Sequence, residues 1–299
     1  MLHLEIAVSP SEIRSLQDLA LLEARLGFDK GTVLSSFPKI WFRQVAEQLQ
    51  AANDGINKHR LTERLRRFKD GKIVAFNRRY EGQSWAEAAR ASHDDELFHR
   101  LVEESFNEQP VYVNAITDLD DDDFQFVTRY PRHAENLAEA AKALLIGAEK
   151  VTIYDPYICV TKNGYKNTLL AMMCLCRKAQ VEFHIFSEED GKQDWAVREA
   201  TLEAFKANMP ENIRLYWYCA NDEGSGFLHP RGLFTAKGGL IYDRGFEEPN
   251  DHAQRDKLTD ITPMSRHMLE EKSASYNTAK QYVDFQLVRE VWFSHLESI

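Results

Sequence analysis

Apolar positions recur at helical spacing through roughly the first hundred residues, and at alternating strand and helix spacing after that. Ser11 precedes the series Ile13, Leu16, Leu19, Leu22 and Leu26, which closes at Gly27; this predicts an amphipathic helix with caps at both ends. Pro38 opens a second helix carrying Trp41, Val45 and Leu49, and a third carries Leu61, Leu65 and Phe68 on one face with arginines around the rest. Trp85, Ala89, Leu97, Leu101 and Val102 predict one or two more. The expectation is a small, mainly helical N-terminal domain over residues 1–117. The run Thr117–Phe124 carries five aspartates between Asp118 and Asp123 and reads as a solvated linker.

The rhythm then changes. A helix from about Arg132 to Ile146 ends at Gly147, followed by a strand Val151–Ile158, a helix around Leu169–Arg177 and a strand Val181–Phe186. A helix Trp195–Met209 and a strand Ile213–Tyr218 complete the series. Strands alternating with helices predict a layered α/β sheet with right-handed crossovers, here over residues 125–299. A hairpin comes next: Leu228–Thr235 turns at Ala236–Gly239 and returns as Leu240–Phe246. Glu247–Ser275 reads as polar loop, and Tyr282–Phe293 fits strand and helix equally.

Composition adds bounds. The 299 residues suffice for two domains, and 43% apolar with 28% charged residues is ordinary for a globular chain. No run of 18 uncharged apolar residues occurs, so no bilayer span is expected. The start Met-Leu-His-Leu-Glu-Ile lacks the basic and apolar regions of a signal peptide. The four cysteines, Cys159, Cys174, Cys176 and Cys219, fit neither a redox pair nor a zinc knuckle; they read as buried reduced thiols, and a cytoplasmic location is the expectation. The ten histidines show no ligand spacing, so neither a metal nor a cofactor is expected.

The net charge of −10 gives no overall attraction for nucleic acid or anionic lipid. Locally, however, Arg60–Arg79 holds eight Lys/Arg against Glu63 and Asp70, which makes Arg64 and Arg67 candidate phosphate contacts. The sharpest constellation is His229-Pro230-Arg231. On a strand, side chains at i and i+2 share a face, which would pair a nucleophile or base with a fixed cation suited to phosphate. Arg244, and the backbone amides near Gly238 and Gly239, are placed to join them.

The order Ile153-Tyr-Asp-Pro-Tyr-Ile158, helix, strand, helix, strand, His229-x-Arg231, Gly238-Gly239 and Arg244-Gly245-Phe246 resembles the phospholipase D superfamily. It is most similar to the branch containing the MIT C-terminal domain and its bacterial relatives, over residues 129–248. The resemblance implies a phospholipase D-like layered sheet with flanking helices. It also implies a phosphodiester-handling site built on His229, Arg231 and Arg244, with Asp155 orienting, and the context of a bacterial antiviral or anti-plasmid defence complex. The sequence departs from the catalytic pattern of that superfamily. Arg231 stands where the pattern has Lys, Ala236 stands where, after four further residues, it has Asp, and only one motif copy is present. An active site would then need a homodimer, or a substitute such as His184 or His133. Three functions stay open: a degenerate module binding a phosphodiester, nucleic acid or partner protein; an active metal-independent phosphodiesterase or nuclease; and an interaction scaffold.

Overall fold

The computed structural model describes residues 2–52, 58–74, 78–106, 110–124, 127–188 and 194–294. The chain divides into two compact units, one of His3–Phe126 and one of Met1–Leu2 with Val127–Ile299. Among the described residues no helix is long and apolar enough to cross a membrane.

The first unit is α/β, not mainly helical. Its strands are β1 (Leu4–Val8), β2 (Thr32–Ser35), β3 (Ile73–Val74), β4 (Arg100–Val102) and β5 (Tyr112–Val113). They form a wholly parallel sheet in the order β3-β2-β1-β4-β5. Helices α1 (Leu16–Arg25), α2 (Trp41–Ala52), α3 (Lys58–Lys72) and α4 (Trp85–Asp95) make the crossovers, and all four carry the apolar series read from the sequence. Alternation in β1 sends Ile6 and Val8 into one core with Leu19, Leu22, Trp41, Val45, Leu61 and Leu65, while Ala7 packs with Ala88, Ala89, Phe98 and Leu101 on the other face. A sheet covered on both sides needs this two-sided burial. Leu101 and Val102, expected on a helix, lie in β4.

The acidic stretch is part of this unit rather than a linker. Ile116 and Leu119 are buried in its core, and Asp120 caps a short helical turn through the Asp122 and Asp123 amides. Asp123 is buried and accepts from the Arg100 guanidinium. Asp123 packs because an arginine and a backbone N–H group meet it, while Asp118, Asp120, Asp121 and Asp122 stay exposed. The boundary therefore falls at Phe126, beyond the expected one.

In the second unit, β6 (Arg129–Pro131) and α5 (Ala134–Leu145) precede β7 (Lys150–Tyr154), α6 (Asn163–Cys174), β8 (Val181–Glu188), α7 (Trp195–Lys206) and β9 (Ile213–Asn221). The hairpin β10 (Gly232–Thr235) and β11 (Gly238–Tyr242) follows, then α8 (His252–Arg255), β12 (Leu258–Pro263), α9 (Arg266–Ser275) and β13 (Gln286–Ser294). The eight strands form one sheet, β13-β9-β8-β7-β10-β11-β12-β6, in which β7, β8 and β9 are parallel and the rest antiparallel to their neighbours. The segment expected as loop, Glu247–Ser275, thus contributes a strand and two helices, and the ambiguous last segment is a strand. Helix α6 buries Leu169, Met172 and Met173 but exposes Asn167 and Cys174, so the cysteines are not uniformly buried.

One buried charge pair anchors the first unit. Glu5, the second residue of β1, receives two hydrogen bonds from Arg78 at 3.0 and 2.7 Å, and both side chains are sealed from solvent. Arg78 also donates to the Glu96 carbonyl at 2.6 Å and stacks 3.7 Å from the Phe98 ring centre. Removing Glu5 leaves the buried Arg78 charge with only the longer Glu96 pair at 3.7 Å among the described residues. Glu5→Ala is predicted to cost about 3–5 kcal/mol, measured by urea unfolding, whereas Glu104→Ala, which breaks the exposed pair with Arg14, costs at most about 1 kcal/mol.

Candidate functional site

The parallel strand β7 ends at Tyr154, and the next residue, Asp155, is 1% exposed. Its Oδ1 accepts from the Tyr157 amide at 2.9 Å, an Asx turn that bends the chain away from the sheet. Its Oδ2 accepts from the Phe246 amide at 3.3 Å, across 91 residues of sequence. Asp155 thereby both caps its own loop and ties the end of β7 to the turn after β11. Burial raises its pKa; the two amide bonds and the Arg231 charge pull the other way, and burial wins.

Tyr157, 43% exposed, brings the two sequence candidates together. Its hydroxyl is 3.5 Å from Nδ1 of His229, whose ring meets the Tyr157 ring edge-on at 6.2 Å, and Arg231 Cζ lies 5.0 Å from the same ring centre. The route to this meeting differs from the one expected. His229, Pro230 and Arg231 precede β10 rather than lying on it, so strand alternation does not align them. Pro230 consequently removes no ladder hydrogen bond. Among the described residues, Tyr157 is the one hydrogen-bonding side chain at the His229 ring.

Arg231 donates from Nη1 to the Asp243 carbonyl at 3.1 Å. Arg244 lies just beyond β11, not on it, and is exposed. Between them Gly245 has φ +68°, and a Cβ there would stand 2.4 Å from Asp155 Oδ2 and 2.8 Å from Arg231 Cδ. Only glycine fits this approach. Gly238 and Gly239 do not join the site. They pair with Thr235 and Phe234 at the other end of the hairpin, about 10–13 Å along the strand from Arg231 at 3.3 Å per residue.

The structure adds three residues that pattern reading passed over: Arg132, Tyr165 and Glu247. Arg132 donates from Nη2 to the Glu247 carbonyl at 3.1 Å, and its Nε is buried without a hydrogen-bond partner among the described residues. Its pKa is lowered, first by burial and then by the like charges of Arg244 and, more weakly, Arg231, while Glu247 and Tyr165 oppose this. Burial likewise holds the Tyr165 hydroxyl protonated, helped by Asp155 and Glu247. Three arginines thus converge on the turn that Asp155 pins. Arg132 was visible as a cation next to a predicted helix, but no spacing linked it to a turn more than a hundred residues away.

Other candidates are engaged elsewhere. His184 in β8 is buried, with Nδ1 3.0 Å from the Tyr218 hydroxyl and Nε2 3.1 Å from Glu182; burial pushes its pKa down to about 4. His133 pairs with Asp256 at 3.0 Å. Neither is presented as a second catalytic histidine. In the first unit, Arg64 forks onto Glu23 at 2.6–3.1 Å, so a carboxylate already occupies its guanidinium, whereas Arg67 is exposed. No family model and no curated protein matches the chain.

The loop that delivers His229 is held by Asp222. Its carboxylate accepts from the Leu228 amide at 3.0 Å and the Gly224 amide at 3.1 Å. The Leu228 bond leads the causes that lower its pKa, against opposing burial. A depressed carboxylate stabilises above its unfolded pKa, ordinarily about 3.9, and the contribution is lost as pH falls through the folded value. Amide protection over residues 222–228 is therefore predicted to fall below the ordinary aspartate range in the wild type. In Asp222→Ala it is already low at neutral pH and shows no such step. Gly245→Ala is predicted to cost about 1–3 kcal/mol in urea unfolding, from the positive φ alone.

Proposed function

We propose that the second unit is a phospholipase D-like module with a degenerate site that holds a phosphodiester or other polyanion without cleaving it. The observation that carries this is the convergence of Arg132, Arg231 and Arg244 on one turn, with the Arg132 Nε buried and unsatisfied. A buried donor left without an acceptor costs about 1–3 kcal/mol, and a phosphate oxygen is the acceptor that three guanidinium groups favour. The order of β7, β8 and β9 followed by an antiparallel hairpin beside β7 supports the fold assignment.

The absence of turnover rests on His229. A histidine nucleophile needs its second nitrogen oriented and its imidazolium stabilised by a partner. At His229 the partner is a tyrosine hydroxyl at 3.5 Å, a weak contact on an exposed ring. Arg231 supplies a fixed fork that binds phosphate but exchanges no proton at neutral pH.

Fluorescence anisotropy with a labelled 20-nucleotide single strand in EDTA tests this. Wild type is expected to bind in a salt-weakened manner and to release intact strand after prolonged incubation. Arg132→Ala and Arg231→Ala should each weaken binding about tenfold, the equivalent of 1.4 kcal/mol, and lower the salt slope by about 0.7. Affinity unchanged in both variants contradicts the binding site. Strand cleavage that His229→Ala abolishes contradicts degeneracy and restores the phosphodiesterase.

A further inference from the structure

The first unit carries a cavity that the proposed polyanion site does not use. It has a volume of about 670 Å³ and is lined by Pro38, Lys39, Ile40, Gln44, Arg79 and Tyr80, with Arg78 beneath. Sites for small ligands run from about 300 to 1,000 Å³. Pro38 follows β2 and Arg78–Tyr80 follow β3, so the cavity opens on the carboxyl-end side of the sheet, beside the β1–β4 switch point rather than at it.

Its walls are fixed. Trp41 Nε1 donates to the Val8 carbonyl at 2.7 Å, tying the start of α2 to the end of β1. Arg78 is spent on Glu5 and Glu96, so it braces the segment running into Tyr80 instead of facing a ligand. The Tyr80 ring lies 5.1 Å from the Phe37 ring, which is itself buried, and keeps 44% of its own surface exposed, as does Ile40. An exposed aromatic held from behind is a stacking platform.

The polar groups differ in kind. Gln44 Oε1 is buried without a hydrogen-bond partner among the described residues, an acceptor waiting for a donor. Lys39 is exposed, and among the described residues Arg79 makes only a surface pair with Glu81, which a stronger anion displaces at little cost. An amide can accept from an exocyclic amine while donating to the adjacent ring nitrogen, as glutamine does with adenine. From these we infer that the cavity binds a nucleotide whose base carries an amino group beside a ring nitrogen. Its base stacks on Tyr80 and Ile40 against Gln44, and its phosphate meets Lys39 and Arg79.

Isothermal titration of the full chain with AMP, IMP, adenosine and inorganic phosphate tests this. IMP keeps the shape of AMP but replaces the amine with a carbonyl. AMP is expected to bind at least about tenfold more tightly than IMP and inorganic phosphate. Gln44→Leu should remove the difference between AMP and IMP, and Lys39→Glu with Arg79→Glu should weaken AMP about tenfold while leaving adenosine unchanged. His229→Ala and Arg231→Ala should bind AMP like wild type, which separates this site from the polyanion site. The inference is overturned by no AMP binding at millimolar concentration, by equal binding of AMP and IMP, by inorganic phosphate binding as tightly as AMP, or by a folded Gln44→Leu protein that still prefers AMP. The AMP and IMP comparison on wild type decides even if a variant does not fold.

Discussion

A single buried carboxylate organises the second unit's candidate site. Asp155 sits at the end of a central parallel strand and accepts from one amide two residues on and another in the turn after β11. The charge is desolvated, which raises its pKa, yet two N–H groups and Arg231 keep it compensated. That compensation sets the place of Tyr157, of Gly245 and, through them, of His229 and Arg231. Besides it, the loop after β7 and the turn after β11 share the longer, half-exposed pair of Lys162 with Glu247 at 4.0 Å.

Around this anchor lie three arginines, Arg132 and Arg231 donating to carbonyls of the turn in which Arg244 stands. Arg132 sits in the field of Arg244 and, more weakly, of Arg231, and its burial leaves that repulsion harder to screen. The Nε of Arg132 stays buried without a hydrogen-bond partner among the described residues. His229 is exposed and leans on the Tyr157 hydroxyl. Proton transfer would ask for a carboxylate where the chain has Tyr157.

Much of the second unit was legible because its strands are apolar runs separated by helices of ordinary length: Val181–Glu188 and Ile213–Asn221 begin where the pattern begins. The first unit was misread for a physical reason. Its helices are long and amphipathic, while β3 and β5 have two residues each and β1 carries Glu5 as its second residue. A charge inside a short apolar run argues against a buried strand until Arg78 is seen to neutralise it, and that pairing spans 73 residues. The acidic run misled in the same way, since Asp123 packs only because Arg100 reaches it. At the site, His229, Arg231, Arg244 and Asp155 were found from local motifs. Arg132 emerged only when the sheet brought β6, β7 and the hairpin together.

The central claim, that Asp155 gathers these arginines into one phosphate-holding turn, is tested most directly by arginine side-chain NMR. The Nε–Hε signals of Arg132, Arg231 and Arg244 are followed while a dinucleotide phosphodiester is added. All three are predicted to shift together in wild type, and Asp155→Ala, if it keeps its sheet signals, is predicted to lose that joint response. Arginine signals that stay still while the dinucleotide shifts resonances elsewhere, or an unchanged joint response in Asp155→Ala, would contradict it.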